Sequence, residues 1–555
     1  MTKRIWASLD EYPSPTGGRH RVGRNAANYY FFRALLRHGS FDEYHFFLAS
    51  PAQVAQFEAG HGPLLEALGQ RHRVKLFTRT ELADRLRDTD YTVFHQSDHV
   101  QWFNPLCRIR NRLQAPVPVT AFIHSISYQE YMGRYLEMLQ LGAGPSDALV
   151  CSSSCGEQVI RNCCQRIENG LDLLPPRFRF EVIPLGIDDE TGDDSPPRCG
   201  AAQRAAARQR QQLDPHEVIA LGFGRFSDFD KMDLFPLLQA FRRTEPVNRP
   251  WRLLLAGALH DENYYKVIQL WARAQGLADR VTFVCEPDER TKADLFQAAD
   301  FFVSVADNPQ ETFGLTLLEA MSHGLPLVVS DFDGYRELVT DEVGQRVPTI
   351  WGRHDELELL QPVMDNLTFH RLAAQSLVVD IPALSHALTT LFDDEPLRLR
   401  LAQAAQARFR QQYTHRAIIG RLETLWTELK GGFTPTSGRA PDQVPTLAED
   451  PLAMAIFQSF DHYATRFLAP DDRVQATPFA TSLLESGSTY PLLSGMNELI
   501  DPGKAARLIE LARETIPVST LWVSDSDSSW RDQYLVLWML KHELLEFVGR
   551  SANSS

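Results

Sequence analysis

The sequence is poor in the features that mark secreted or membrane-embedded proteins. Its 555 residues contain 7 cysteines, an odd number without a Cys-x-x-Cys pair, which disfavours both a disulfide framework and a zinc site. Apolar runs of about 18 residues are missing, and the N-terminus leads directly into a short predicted strand. We therefore expect neither a transmembrane helix nor a signal peptide, and a cytoplasmic protein with reduced thiols.

A net positive charge is also missing. The formal net charge is −15, which disfavours general binding to nucleic acid, although a local basic patch would still bind an anion. The composition, with 44% hydrophobic and 23% charged residues, is ordinary for a globular chain. The length predicts about two to four domains.

The pattern that carries most information lies in residues 301–339. An apolar run that predicts a strand ends at Asp307, a polar turn follows, and helical spacing restarts at Thr312, Phe313 and Gly314. The unpaired N–H groups at a helix start bind anions, and a glycine there lets a ligand approach the backbone. This stretch therefore predicts an anion site.

Two glutamates flank that predicted anion site. Glu311 lies in the turn before the helix and Glu319 lies on the helix, so both side chains can address one ligand. Carboxylates repel phosphate but accept hydrogen bonds from hydroxyl groups. A phosphate group with hydroxylated rings on both sides describes a nucleotide sugar.

The ordered set of residues in this stretch resembles a known donor site. Two glutamates in the spacing Glu-x7-Glu enclose Phe-Gly and are followed by Glu-Ala-Met, Gly324-x-Pro326 and Gly334-x-x-Glu337. The set is similar to the donor site of retaining glycosyltransferases of the GT-B fold in family 4, the glycogen-synthase-like and phosphatidylinositol-mannosyltransferase-like group. The resemblance implies transfer of a sugar from a nucleotide sugar to an acceptor hydroxyl with retention of anomeric configuration.

The alternation of strand and helix patterns predicts an α/β protein with parallel sheets. Together with the resemblance, it predicts a GT-B fold: two Rossmann-like domains that face a cleft, plus a mainly helical C-terminal extension. The predicted divisions are an acceptor-side domain (1–188), a linker (189–216), a nucleotide-sugar domain (217–400), closing helices that return to the first domain (401–430), a second linker (431–450) and the extension (451–555). We also expect a strand over 346–350, an insertion over 351–379 and a final amphipathic helix over 530–548.

The resemblance assigns roles to further residues along the chain. His124, at the end of a predicted strand, would contact the donor sugar, and Arg225 with Lys231, the latter at a predicted helix start, would neutralise the departing diphosphate. The remaining donor-site predictions are the glycine pair after the first strand, the end of a later strand that borders the base, and the helix start beyond Glu311: Gly17, Gly18, Cys285, Thr312, Phe313, Gly314, Leu315 and Thr316.

The acceptor side is less specified. His95 and Asp98 follow a predicted strand and are candidates for lining it. The helix near Arg24, rich in aromatic and basic residues, has two readings: its apolar face packs on the sheet, which we favour, or it contacts a membrane surface. The sequence does not decide whether the acceptor is a glycan, a protein, a lipid or a small molecule.

No cofactor or metal is predicted. Three Asp-x-Asp triplets, which begin at Asp228, Asp331 and Asp525, resemble metal-binding pairs of another glycosyltransferase fold, but the first two lie in elements that already supply cations. The sequence leaves the donor nucleotide open, and we favour UDP over GDP. The alternatives are a catalytically silent scaffold or partner subunit of another transferase, and a GT-B-fold epimerase or phosphorylase. The extension either packs on the catalytic body or binds a partner or a second copy.

Overall fold

The first part of the chain forms a seven-stranded parallel sheet in the computed structural model, which describes residues 3–12, 23–188, 201–229, 231–244, 249–433, 454, 456–493, 496, 499–521 and 529–549. The spatial order is β3-β2-β1-β4-β5-β6-β7. The strands are short apolar runs, most of them buried on both faces, as a parallel sheet covered by helices requires. They are β1 (Ile5–Ser8), β2 (Glu43–Leu48), β3 (Val74–Thr78), β4 (Val93–Gln96), β5 (Val119–Phe122), β6 (Ala148–Cys151) and β7 (Arg179–Val182).

Helices connect these strands. Two of them begin at serine caps, because the side chains of Ser50 and Ser153 accept hydrogen bonds from backbone N–H groups of the first turn. The helices are α1 (Gly23–His38), α2 (Pro51–Ala67), α3 (Leu82–Asp88), α4 (Phe103–Leu113), α5 (Tyr131–Gln140) and α6 (Ser154–Leu171).

A second parallel sheet has six strands in the order β10-β9-β8-β11-β12-β13. The predicted pair of Rossmann-like sheets is thus confirmed. The strands are β8 (Val218–Phe223), β9 (Trp251–Gly257), β10 (Val281–Cys285), β11 (Phe301–Ser304), β12 (Leu327–Ser330) and β13 (Gly344–Val347). The helices are α7 (Ala201–Arg210), α8 (Leu234–Arg243), α9 (Glu262–Ala274), α10 (Glu289–Ala298), α11 (Leu315–Ser322) and α12 (Tyr335–Leu338).

The rest of the described chain is mainly helical, as predicted, but it adds two small three-stranded sheets, β15-β14-β16 and β18-β17-β19. The elements up to residue 431 are β14 (Thr349–Trp351), α13 (Asp355–Leu360), α14 (Asn366–Gln375), β15 (Leu377–Val379), α15 (Ile381–Asp393), α16 (Glu395–Gln412) and α17 (His415–Gly431). The C-terminal elements are α18 (Ile456–Ser459), β16 (Arg466–Phe467), β17 (Arg473–Ala476), α19 (Pro478–Glu485), α20 (Pro502–Leu511), β18 (Ile516–Pro517), α21 (Ser529–Lys541) and β19 (Leu545–Phe547). None of these described helices combines the length and apolar composition that a membrane span needs.

Two local predictions were wrong. The single strand predicted over 346–350 is split between β13 and β14, which pair in different sheets. The final helix predicted over 530–548 ends at Lys541, and the chain continues as β19 because its backbone pairs with β17. In the sequence, Leu544 and Phe547 keep helical spacing from Leu540 across the polar residues 541–543, so the pattern of apolar residues did not indicate the break.

The chain forms two units, and each is built from separate stretches of sequence. The first comprises Met1–Ser195, Thr312–Leu318 and Arg408–Met454; the second comprises Pro196–Glu311, Glu319–Ala407 and Ala455–Ser555. Helix α17 belongs to the first unit, where Ile418, Leu422 and Trp426 lie in the core cluster together with Trp6 and Phe32. The indole of Trp426 also donates a hydrogen bond to Thr120 at 3.0 Å.

Candidate active site

Two loops of the second unit meet at the carboxyl ends of neighbouring strands. Strands β8 and β11 pair in parallel, so the β8 loop (described residues 224–229 and 231–233) and the β11 loop (residues 305–311) leave the sheet side by side. The Asn308 side chain donates a hydrogen bond to the Phe229 carbonyl. The Asp233 backbone N–H donates to both oxygens of Asp307, at 3.3 and 3.2 Å. These bonds fix the two loops to each other.

A lysine and a glutamate form an ion pair between the loops. Lys231 Nζ lies 2.8 Å from Glu311 Oε2, and the side chains are 9% and 19% exposed. Burial acts to lower the pKa of Lys231, but the charge of Glu311 outweighs it and holds that pKa above its ordinary value. Lys231 precedes the Asp233 cap of α8 and lies in the loop, so its predicted place at a helix start was wrong. The structure therefore presents a permanent, nearly buried cation.

A tyrosine that sequence reasoning missed completes this arrangement. Lys231 donates to the Tyr335 hydroxyl at 3.4 Å, and that hydroxyl is 2.9 Å from Ser304 Oγ on β11. The neighbouring Asp333 is fully buried, and burial, followed by the charge of Glu311, raises its pKa well above the usual range. This shift favours the neutral form of Asp333, and Glu311 is the carboxylate in contact with Lys231. The Gly334-x-x-Glu337 pattern had pointed to this turn, but not to its tyrosine.

The other predicted donor residues of the second unit occupy separate positions. Glu319 on α11 is paired with Lys292 of α10 at 2.5 Å, so a ribose hydroxyl would share that carboxylate with the ammonium group. Cys285 ends β10 and is half-buried, and burial raises the pKa of its thiol. Arg225 is half-buried in the β8 loop, and its charge acts to lower the pKa of Lys231. Their contacts with a donor stay predictions.

In the first unit, His124 follows β5 and is 8% exposed. Burial lowers its pKa to about 4, so the ring is neutral at physiological pH. Nε2 lies 3.0 Å from the Asn28 side-chain oxygen, which only accepts, so Nε2 carries the proton and donates. A backbone hydrogen bond with Ser97 also acts on the ring and opposes the lowering of its pKa.

The segment Thr312–Leu318 also groups with the first unit. Ser153 Oγ donates to the Thr312 carbonyl at 2.7 Å, and Thr312 Oγ1 donates to the His124 carbonyl at 3.2 Å. Gly314 has φ of 101°, a left-handed conformation that disfavours any side chain. Thr316 Oγ1 is buried and makes no hydrogen bond with the described part of the chain. Helix α11 begins at Leu315, so Thr312, Phe313 and Gly314 form the turn before it rather than its first turn.

The two acceptor-side candidates have different surroundings. His95 is fully buried, its ring packs against Phe31, Phe122 and Trp426, and burial lowers its pKa to about 3. It serves the core, so its prediction as a lining residue was wrong; all four residues of its strand are buried, and His95 is enclosed with them.

Asp98, in contrast, forms an ion pair with Arg24 at 3.0 Å. Arg24 lines a cavity of about 640 Å³ together with Asp10, Arg79 and Trp102. Burial raises the pKa of Asp10 to about 6, and the Arg79 guanidinium lies 4.0 Å from the centre of the Trp102 ring. The cavity thus combines charged side chains with the aromatic rings of Tyr12, Phe57 and Trp102.

Several predictions lie outside the described residues: the glycine pair Gly17 and Gly18, and the aspartates Asp230, Asp525 and Asp527. The described members of the Asp-x-Asp triplets are engaged. Asp228 pairs with Arg371 at 3.0 Å, and Asp331 lies 3.3 Å from Arg336. Among the residues that the structure describes, no three side chains are grouped as metal ligands.

The sequence profile of the family described as glycosyl transferases group 1 matches residues 203–349. This range contains all six strands of the second sheet and Arg225, Lys231, Glu311 and Glu319. The chain carries a group 1 glycosyltransferase domain. The predicted family is thereby confirmed for that domain.

Curated relatives of the glycosyltransferase domain and its flanks are similar over part of their length. The GDP-mannose:cellobiosyl-diphosphopolyprenol alpha-mannosyltransferase of Xanthomonas campestris is 27% identical over 305 residues, 53% of this chain and 70% of that protein. The D-inositol 3-phosphate glycosyltransferase of Xylanimonas cellulosilytica is 29% identical over 245 residues, 44% of this chain and 52% of that protein. The chain thus spans about half the length of the second relative.

A solved structure supports the fold assignment of the two Rossmann-like domains. Anabaena Alr3699/HepE in complex with UDP has a TM-score of 0.51 at 16% sequence identity, covering 77% of this chain and 100% of that chain. At this identity the similarity shows the GT-B fold alone.

Proposed function

We propose that the chain transfers a sugar from a nucleotide-sugar donor to an acceptor hydroxyl with retention of anomeric configuration. The observation that carries the proposal is the nearly buried Lys231–Glu311 pair, inside a group 1 glycosyltransferase domain, with Tyr335 against the lysine. A fixed cation beside a fixed carboxylate suits a ligand that presents a phosphate and hydroxyl groups together.

Each member of this group has a distinct role in the proposal. Lys231, with Arg225, stabilises the negative charge that grows on the departing diphosphate, and its pairing with Glu311 keeps it aligned before a donor arrives. Glu311 accepts hydrogen bonds from sugar hydroxyls once the lysine turns to phosphate. Glu319 accepts from the ribose in competition with Lys292.

The turn before α11 is the proposed phosphate site. Gly314 lets a phosphate approach the backbone, and the N–H groups at the helix start provide donors. The unpartnered hydroxyl of Thr316 is a further donor that a phosphate oxygen would satisfy. His124, whose ring is neutral because burial lowers its pKa to about 4, holds a sugar hydroxyl.

Retention follows from the donor's own chemistry in this proposal. A phosphate oxygen of the donor accepts the proton of the acceptor hydroxyl on the face from which the diphosphate leaves, so the protein mainly positions and stabilises charge. No metal ion takes part. UDP remains our favoured donor nucleotide. GDP is the alternative, because the name of the Xanthomonas relative includes GDP-mannose.

Thermal-shift measurement with UDP, GDP and ADP tests the donor proposal. A ligand that binds only the folded protein raises its unfolding temperature, and we expect UDP or GDP to do so while ADP does not. Anomeric assignment of the transfer product by NMR then tests retention. A silent scaffold would give no donor hydrolysis. An epimerase or phosphorylase would change the sugar without an acceptor hydroxyl. If no nucleotide raised the unfolding temperature, the proposal would be refuted.

Gly224→Ala is expected to lower turnover by about 10²-fold, the effect of misplacing a catalytic group by about 1 Å. A Cβ at Gly224 would lie 2.9 Å from Lys231 Cε and 3.1 Å from Cγ, so the lysine side chain must shift from the position in which it pairs with Glu311. Steady-state kinetics would measure the loss. Gly420→Ala on α17, where a Cβ meets nothing within 4 Å, is the matched control; equal activity of both variants would contradict the role of Lys231.

A further inference from the structure

A charged network connects the C-terminal region to the loops of the candidate site. Asp233, Asp307, Lys541 and His542 are each at most 2% exposed. The Lys541 ammonium donates to the Asp307 carboxylate, 234 residues away in sequence, and to the Ala374 carbonyl at 2.9 Å. Burying a lysine and an aspartate costs desolvation free energy, which the attraction between their charges must offset. Removing one partner would therefore leave an uncompensated buried charge.

Asp307 is the residue through which the two site loops are joined. It lies in the β11 loop, four residues before Glu311, and accepts the Asp233 N–H of the β8 loop, two residues after Lys231. Both oxygens of the carboxylate share that N–H while one also contacts Lys541. The ammonium therefore neutralises the charge on which the junction between the loops depends.

Neutral side chains contact Asp233, the residue of the β8 loop that takes part in this junction. Burial lowers the pKa of His542 to about 3, so its ring is neutral, and Nε2 lies 3.1 Å from the Gln375 side-chain oxygen. The Gln375 amide donates to Asp233 Oδ2 at 3.0 Å, and the Tyr490 hydroxyl lies 3.1 Å from His542 Nδ1. The C-terminal region thus reaches both loops, one through Lys541 and the other through His542.

We propose that Lys541 is a positioning residue for the donor site: by neutralising Asp307 it holds together the two loops that carry Lys231 and Glu311. The inference rests on the proposed function for its catalytic consequence, but the loop geometry can be tested without any ligand. It assigns the C-terminal region, for which the sequence indicates no chemistry, a part in the glycosyltransferase site.

Helix α14 makes further polar contacts with one of these loops. Arg371 Nε lies 3.0 Å from Asp228 Oδ2 in the β8 loop, and Gln375 belongs to the same helix. This helix lies in the segment 351–379, which we expected to be an insertion. Both segments that depart from the family pattern therefore supply side chains to aspartates of the site loops.

Hydrogen exchange of the unliganded protein tests the proposal directly. Lys541→Met is expected to raise the exchange rates of amides in the β8 and β11 loops, because Asp307 is left as a buried, unpaired carboxylate. The double variant Lys541→Met/Asp307→Asn, which keeps the shapes but removes both charges, is expected to bring those rates back toward wild type. Turnover of Lys541→Met is expected to fall by about 10- to 100-fold, the effect of removing supporting residues at other sites, with a smaller change in KM.

Two further variants separate positioning from general stability. Lys504→Met removes a different lysine of the C-terminal region, one that forms an ion pair with the buried Asp532. This variant is expected to leave hydrogen exchange in the two loops unchanged. Lys541→Arg keeps the charge and is expected to retain most of the loop protection. If Lys541→Met does not fold, the double variant decides: normal loop exchange in it supports the role of charge neutralisation, and loose loops overturn it.

Unchanged loop exchange in folded Lys541→Met would overturn the proposal whatever the reaction turns out to be. A wild type that binds no nucleotide, while Lys541→Met still loosens the two loops, would instead count against the proposed function alone. The two failures are thus distinguishable.

The pH profile gives a readout that packing alone would not change. Burial raises the pKa of Asp307 to about 6, the charge of Lys541 opposes that rise, and the charge of Asp233 adds to it. Tyr264 of α9 and the neutral His542 are the other titratable groups that face this cluster. Activity of the wild type should therefore fall as the pH drops through about 6, because protonated Asp307 leaves the buried Lys541 charge without its partner. Lys541→Met should lose this acid limb, because protonation of Asp307 then removes the unpaired charge as the double variant does; an unchanged limb would contradict the proposal.

Discussion

Lys231→Met is expected to lower turnover by about 10²- to 10³-fold, because a preorganised charge of this kind is worth about 2.7–4 kcal/mol in the transition state. Methionine keeps the length and the apolar stem of the side chain, which is 9% exposed, and removes only the ammonium group. Steady-state kinetics with the donor identified by thermal shift would measure kcat and KM separately. We expect the loss mainly in kcat, since the charge on the diphosphate grows as the bond to the sugar breaks.

Two controls isolate the charge at Lys231. Lys266→Met removes a lysine from the surface of α9, where the side chain is 65% exposed, and should leave turnover unchanged. Lys231→Met/Glu311→Gln removes both charges of the pair and should recover any lost stability without recovering turnover. Near wild-type turnover of the single variant would refute the assigned role.

Arg110→Met is expected to lower the free energy of unfolding of the first unit by about 3–5 kcal/mol, the cost of leaving a buried charge without its partner. Arg110 on α4 and Asp147 before β6 are 2% and 0% exposed. The guanidinium donates to both carboxylate oxygens, at 2.6 and 2.8 Å, and also to the carbonyls of Val117 and Gly142. The change therefore leaves one buried carboxylate and two buried carbonyls with fewer donors.

Hydrogen exchange at increasing urea concentration, measured on peptides from β5 and β6, would follow the first unit by itself. Arg112→Met, on the exposed side of the same helix, is the matched control and should change stability little. Arg110→Met/Asp147→Asn should recover part of the loss because the unpaired charge is gone. A single variant as stable as wild type would show that this ion pair does not hold α4 on the sheet.

The strands of both sheets were predictable because fully buried parallel strands are short apolar runs between polar turns. Phe301–Ser304 and Leu327–Ser330, both buried throughout, are such runs. The errors came where the partner, not the local pattern, decides the conformation. Leu544 and Phe547 continue the helical spacing of the apolar residues before Lys541, and only pairing with β17 makes this segment a strand.

The site shows the same division between local and long-range information. Glu311 and Lys231 were predicted from ordered motifs, whereas Tyr335 and Asp307 acquire their roles from contacts made across different loops. His95 shows the opposite case: a polar residue at a strand end suggested a surface, but its neighbours on adjacent elements are aromatic and enclose it. No spacing rule in one sequence carries such information.

The place of helix α17 in the first unit has a consequence for the order of folding during synthesis. Ile418, Leu422 and Trp426 fill the core beside Trp6 and Phe32, yet they leave the ribosome only after the entire second sheet has been translated. A nascent chain that ends at residue 400 therefore exposes the apolar groove that α17 would cover, although all seven strands of the first sheet have been made. N-terminal domains commonly fold first as a chain emerges. Here the last closing step of the N-terminal core must wait for the domain that follows it, and a chaperone would find its apolar target in that interval.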